Sequence, residues 1–485
     1  MKEPSVTKNF FYNTFFQILS IITPFITTPY ISRTLGADGI GIQSYTTSYQ
    51  TYFSLIAVLG TSSYGAREIS KSRNDEYNKS KLFWEIEFLT CFTSCISILG
   101  WMLFILLNKK YRIYYAVLTL NLFAAMLDIS WFFSGIEQFS LLVIRNSILK
   151  IAGIVCVFLF VKSKDDLLLY MFLSSLTVLL SSASMWIGIR KEIMKINAKD
   201  LRVFRHFKET FVYFIPTIAT SIYTVLDKTL IGLITSDAAE NGYYQQADKM
   251  IGMAKSIVFA SINSVVGVRI SYLFVEERYD EIKSRIEYSI NYIFFMGFGC
   301  VFGIMGVAKN FVPVFFGYGY DNVVYLLYIL SPIIIIIGIS NCLDSHYYTP
   351  SGRRVQSTKY VIAGSVMNLV WNLLLIPWLK SYGAAISSIL AETLIMILYI
   401  RFNNSIISVF TLIQCGKRKL FSGIIMFVII RMIGTMELAV IPRLCTQIFA
   451  GTFIYIFVLI VCNDVWTKRL ILTGFCKFRR DKHEK

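Results

Sequence analysis

The chain has 485 residues, of which 55% are hydrophobic and only 16% charged, and its mean hydropathy is +0.59. Soluble domains carry roughly 25% charged residues, so this composition excludes an ordinary soluble globular protein. The formal charge of +17 would suggest nucleic acid for a soluble chain; in a membrane chain it reflects Lys and Arg gathered in cytoplasmic loops, and no nucleic-acid partner is expected.

Apolar runs of about 20 residues, each long enough to cross a bilayer, recur along the whole length. Spans are expected near 10–32, 40–65, 82–107, 112–134, 139–161, 166–189, 207–234, 243–270, 287–308, 323–346, 356–379, 383–402, 419–436 and 440–463. The expected fold class is an all-α polytopic membrane protein with about fourteen helices. Twelve is the alternative, because Arg431 and Glu437 interrupt the thirteenth run. The first run is long and Pro-bearing and lacks a small-residue cleavage site, so it reads as a retained span. Loops 66–81, 190–208, 269–285, 353–359 and 401–419 and both termini hold most of the Lys and Arg, which makes that side cytoplasmic.

The most basic internal stretch, Arg190–Lys208, follows six spans and precedes six more. It reads as a positive-inside connector more readily than as an amphipathic helix on anionic membrane lipid. The chain then divides into a first six-helix lobe (1–195), a linker (196–209), a second lobe (210–405) and a helix pair with a basic tail (406–485). The lobes open alike. Asn13, Gln17, Ser20, Pro24 and Thr27 recur at helical spacing before Leu35–Tyr45; Tyr213, Thr217, Thr220, Thr224 and Asp227 do so before Ala238–Ala247. An unusually polar span follows each, with Gln43 and Ser44 in the first lobe and Gln245, Asp248 and Lys249 in the second. Pseudo-repeated halves with matching polar positions suggest a central transporter cavity.

Charges inside spans usually face a wet cavity or each other. Asp128 lies in the fourth run with Trp131 one turn on, and Arg145 and Lys150 lie in the fifth. Asp227 and Lys228 are adjacent and point to different faces; Lys249 and Lys255 follow in the next span. Several cations suit a diphosphate, whose oxygens make strong charge-assisted bonds at low dielectric. The alternative is ion pairing, Asp227 with Lys249 or Asp248 with Lys255. Asn368 and Asn372, one turn apart, suit hydrogen bonding within the bundle. Asp227, Asp344 and Glu392 are candidate acids for ion coupling. There is no GxxxxGK[ST] phosphate loop and no nucleophile motif; the nine cysteines fall mostly in spans and the three histidines are scattered. No cofactor, metal or direct use of nucleotide is expected.

Several stretches, in order, resemble the Wzx-type flippases of O-antigen, capsule and exopolysaccharide repeat units, in the multidrug/oligosaccharidyl-lipid/polysaccharide exporter superfamily. They are Thr23–Gly41, Tyr64–Lys71, Leu127–Lys150, Val161–Tyr170, Phe315–Pro332, Tyr347–Arg354, Gly364–Pro377 and Tyr382–Glu392. The resemblance implies a bacterial cell-membrane transporter, not an enzyme. It would move undecaprenyl-diphosphate-linked oligosaccharide to the outer leaflet, with an ion gradient as the energy source. A polysaccharide polymerase and a chain-length regulator are the implied partners. A drug/cation antiporter of the same fold would want an acidic, aromatic cavity. A peptidoglycan lipid-precursor flippase matches fewer of these motifs. A polymerase or glycosyltransferase would need a large external loop, and all the external loops here are short.

Overall fold

The computed structural model describes residues 6–189, 192–265, 267–404 and 406–470, and every regular element among them is helical. The chain clusters into two compact units, Met1–Gly242 and Tyr243–Lys485. The division falls later than the 196–209 linker, because the helix after the linker packs onto the first unit.

In the first unit, α1 (Val6–Val58), α2 (Thr61–Lys71), α3 (Glu76–Leu107) and α4 (Arg112–Met126) are followed by α5 (Ser130–Gly135), α6 (Phe139–Phe160), α7 (Leu167–Ile189) and α8 (Phe207–Thr235). The first and second expected spans form one continuous element, broken only by a corner at Gly36, whose φ of 69° suits glycine. The second span ends at Val58 rather than 65: Leu59 and Gly60 both have positive φ and turn the chain into α2. The fourth span, expected unbroken over 112–134, is interrupted at 127–129. There Asp128 Oδ1 accepts the backbone N–H of Ser130 at 2.9 Å, so the carboxylate competes with helix propagation. Described residues of the basic linker form no amphipathic helix, only short 3₁₀ turns at Ala198–Asp200 and Val203–His206.

Those turns are tied down by a buried polar cluster. Glu85 of α3 accepts from the Arg202 backbone N–H at 2.7 Å and from Arg205 Nη2 at 2.5 Å. His206 Nε2 lies 2.9 Å from the same carboxylate, and its Nδ1 is 2.7 Å from the Tyr64 hydroxyl of α2. The cluster fixes where α8 begins, and α8 then runs over Gly60, whose missing side chain makes room for the Thr210 carbonyl.

The second unit contains α9 (Ala238–Val265), which begins in the first, then α10 (Gly267–Val275), α11 (Tyr279–Phe315), α12 (Asp321–Leu330) and α13 (Ile333–Leu343). A π-helical turn (Asp344–Tyr348), α14 (Arg354–Arg401), α15 (Val409–Ile433) and α16 (Val440–Val461) complete it. Helices α12 and α13 part at Ser331–Pro332, where proline supplies no N–H. A non-helical Lys380 splits α14 into the eleventh and twelfth expected spans. Ile282, Ile286, Ile290 and Ile293 form one fully buried stripe along α11. Helix α15 lies against α11: Lys419 Nζ donates to Asn291 at 3.0 Å and to Asp464, beyond α16, at 3.1 Å. Arg431, which weakened the thirteenth span in the sequence, donates to the Tyr328 hydroxyl at 3.1 Å. Among the described residues eight helices are long and apolar enough to cross a membrane.

Burial holds the His206 imidazole below its ordinary value of 6.5, although the Glu85 bond works the other way. A depressed base costs the folded state nothing above that value; stability is lost as pH falls through it towards the folded-state value. His206→Gln is expected to flatten this acid-side loss, while Glu85→Gln lowers stability at neutral pH by about 1–3 kcal/mol. Thermal unfolding of the purified protein across pH checks both.

Candidate functional site

The residues at the corner of α1 meet the residues that open α9. A Cβ built on Gly41 would sit 1.7 Å from the Ala238 carbonyl oxygen, and one on Gly242 would sit 2.0 Å from the Ala37 carbonyl oxygen. The contact is reciprocal. Ala37 and Gly41 stand four apart, as do Ala238 and Gly242, and they occupy corresponding places in the two similar lobe openings. Only glycine permits backbones to approach so closely.

This approach brings a set of buried polar side chains into register along α1, α8 and α9. Ser44 Oγ lies 3.3 Å from Asn241 Oδ1, and Asn241 Nδ2 donates to the Lys228 carbonyl at 2.6 Å. Thr229 Oγ1 is 2.8 Å from Ser48 Oγ and 3.0 Å from the Tyr52 hydroxyl. Asp227 is 3% exposed and acts electrostatically on Tyr52. Three predicted site residues, Ser44, Asp227 and Lys228, are therefore assembled in one seam, together with Ser48, Tyr52, Thr229 and Asn241.

The other predicted residues of the first unit do not converge there. Gln43 hydrogen-bonds Tyr170. Thr27 bonds the Thr23 carbonyl one turn back. Arg145 Nη1 donates to the Ser184 carbonyl at 3.1 Å and lies over Gly188 of α7. Lys150 Nζ reaches Ser20 of α1 at 3.4 Å. Trp131 is buried against Phe83 and Gly65, a packing position rather than an open ring face. Because of the break at 127–129, Asp128 does not share an unbroken helical face with it. The side chain of Gln17 lies outside the described residues.

In the second unit, Gln245, Lys249 and Lys255 are half-buried along α9. Asn368 and Asn372 are both fully enclosed, and the Asn372 amide donates to Asn368 Oδ1 at 3.0 Å. Asp344 accepts from the Ser357 hydroxyl, which also bonds Tyr399 at 2.8 Å; Glu392 is buried on α14. The three candidate acids are thus in two separate places of the fold, Asp227 in the first unit and the other two in the second.

Sequence reading missed Glu85 and Glu87, which lie near the start of a long apolar run and look like ordinary boundary charges. Glu87 is 2% exposed, neither of its oxygens has a hydrogen-bond partner among the described residues, and the charge acting on it is that of Asp128. The spacing Glu85–Glu87 inside a helix was the available signal, since it puts carboxylates on two faces of one span.

The family described as "Polysaccharide biosynthesis protein" matches residues 6–268. Two relatives named "Putative O-antigen transporter" are each 24% identical. That of Escherichia coli K12 aligns over 83% of this chain and 98% of its own length, and that of Shigella dysenteriae over 78% and 95%. Among solved structures, the lipid II flippase MurJ in an inward closed conformation superposes with a TM-score of 0.73 at 13% identity, over 95% of this chain and 99% of its own. An outward-facing MATE transporter of the MOP superfamily gives 0.54 at 13%, over 83% and 94%. The fold is thus that of a multi-span helical transporter, and the relatives are transporters rather than enzymes.

Added side chains at the seam are expected to be costly. Gly41→Ala and Gly242→Ala should each destabilise the protein by about 1–3 kcal/mol through overpacking. Gly252→Ala, with no atom within 4 Å of the new Cβ, should be neutral or stabilising. Thermal unfolding of the three variants in detergent checks the contrast.

Proposed function

Since the chain belongs to the polysaccharide biosynthesis protein family, we propose that it is a flippase for undecaprenyl-diphosphate-linked oligosaccharide repeat units, carrying them from the cytoplasmic to the outer leaflet for surface polysaccharide assembly. The O-antigen transporter relatives, aligned over most of their length, support the cargo class. The observation that carries the mechanism is the seam of α1, α8 and α9, a polar contact between the openings of the two lobes with a carboxylate enclosed in it.

In this reading the twelve helices of two six-helix lobes, with a further pair, alternate between access to one side and access to the other. Arg145 and Lys150 in the first unit, and Lys249 and Lys255 in the second, are the candidate cations for the diphosphate. Gln43, Gln245 and neighbouring hydroxyls bind sugar hydroxyls, and the polyprenyl tail stays in lipid. Both termini are cytoplasmic, and polymerase and chain-length regulator take the cargo after release. The seam holds one end shut. Its separation requires Asp227 to leave an enclosed environment for a wet one. An ion bound to Asp227 in one state and released in the other couples that separation to a gradient.

Purified protein in proteoliposomes, supplied with lipid-linked oligosaccharide and an imposed proton or sodium gradient, tests the reading. Gradient-driven flipping is expected, and Asp227→Asn is expected to slow it about tenfold or more at unchanged membrane abundance. Equal rates with both gradients collapsed would remove ion coupling, and no flipping at all would remove the cargo assignment.

A further inference from the structure

The second unit holds a cavity of about 630 Å³ that none of the preceding assignments uses. Its size falls within the roughly 300–1,000 Å³ of small-molecule sites. It lies where three connections meet: the turn from α10 to α11, the turn before α14, and the stretch that follows α14. These belong to the loops 269–285, 353–359 and 401–419, which the sequence puts on one side of the membrane. The fold brings all three to one end of the unit.

The lining holds one cation and no carboxylate. Arg353 stacks its guanidinium over the Tyr347 ring, 5.6 Å from the ring centre. Stacking occupies the flat face of the guanidinium. It leaves the N–H groups along the edge, in the fork that suits two oxygens of a phosphate. Among the described residues no carboxylate or carbonyl accepts from that edge; Glu276 and Glu281 of the α10–α11 turn pair with Arg278 instead. Asn404 sits at a φ of 52°, and among the described residues its amide is likewise uncommitted. Helices α11 and α14 both begin at the cavity without a side-chain cap, so their first N–H groups add positive potential. The remaining wall is apolar. Phe274 packs on Tyr279 and Tyr347 with ring centres 6.4 and 6.1 Å away, and Ile406 and the 83% exposed Val275 complete it.

We propose that this cavity binds the phosphate of a membrane lipid, with Arg353 and Asn404 on the phosphate oxygens and the first carbons of the lipid against Phe274, Val275 and Ile406. An acidic phospholipid and a polyprenyl phosphate offer the same group. Free phosphate would leave the apolar wall in water, and an uncharged lipid would leave the guanidinium edge bare. The proposal does not depend on the flippase reading; it requires only that this end of the second unit lies at a bilayer surface. A lipid held there ties the start of α11 to the start of α14 at the level of the headgroups.

Native mass spectrometry of the full-length protein, titrated with phosphatidylglycerol, undecaprenyl phosphate and diacylglycerol in turn, tests this. At least one of the two phosphorylated lipids should bind more tightly than diacylglycerol, and the one held more tightly identifies the source of the phosphate. Arg353→Ala should weaken that binding about tenfold, and Arg353→Lys, which keeps the charge and loses the fork, by less. Asn404→Gly, which keeps the backbone angle and removes the amide, should weaken it about threefold. Arg354→Ala removes the same charge from the neighbouring exposed position outside the lining and should leave binding unchanged. Thermal unfolding checks that each variant is folded; if Arg353→Ala is not, Arg353→Lys and Asn404→Gly decide. Neither phosphorylated lipid binding better than diacylglycerol overturns the proposal. So does an equal loss in Arg353→Ala and Arg354→Ala, which would mean a general charge effect. Displacement of the lipid by an equal concentration of inorganic phosphate overturns it as well, because the apolar wall would then contribute nothing.

Discussion

The fold depends on two backbones that touch. Where Gly41 meets the Ala238 carbonyl and Gly242 meets the Ala37 carbonyl, no side chain intervenes. In lipid there is no water to satisfy a polar group left over, so helices gain little from apolar contact alone and much from close packing with matched hydrogen bonds. The glycines provide the closeness. Ser44, Ser48, Tyr52, Thr229 and Asn241 provide the matching, each reaching a partner on another helix. The consequence is a contact that is well satisfied when closed and leaves several polar groups bare when open, unless water or cargo replaces them. Under the proposed alternating access, its closed form with these bonds and its open form with water or cargo in their place would be the two states.

The remaining architecture positions that contact. The corner at Gly36 turns α1 so that its second half runs along α8. The Glu85–His206 cluster fixes the beginning of α8, and Gly60 lets α8 settle against the start of α2. Asp128, whose carboxylate accepts the Ser130 N–H, lies at the break in the fourth span near the buried Glu87. In the second unit the long α11 is the axis, with α13, α15 and α16 packed along it. The Lys419–Asp464 pair, enclosed and hydrogen-bonded to Asn291, binds the last helices to that axis.

Much of this was legible in the sequence. Hydropathy placed the helices, since burial in lipid demands apolar runs of a set length. The two similar lobe openings, Leu35–Tyr45 and Ala238–Ala247, pointed to the segments that form the seam. Helix ends were less legible. The break at 127–129 depends on one side-chain bond, and the turn at Leu59–Gly60 depends on two backbone angles, neither of which alters hydropathy. The neighbours of the charges were the least legible. Arg145 and Lys150 find partners on different helices, Trp131 is core, and Glu85 and Glu87 hid in a run that reads as plain membrane span. A sequence shows that a charge is at depth; only the fold shows which neighbours share its cost.

The central claim is that the contact of α1 with α8 and α9 closes in one state and parts in the other during each transport cycle. Ser48 and Thr229, whose hydroxyls are 2.8 Å apart, lie at its middle. The most direct measurement is therefore export of surface polysaccharide by a Ser48→Cys/Thr229→Cys protein in a background stripped of native cysteines. Under oxidation the pair should form a disulfide and export should stop, with recovery on adding reductant and no effect of either treatment on the single-cysteine proteins. Full export by the cross-linked protein would contradict the account, because the seam would then have no need to open.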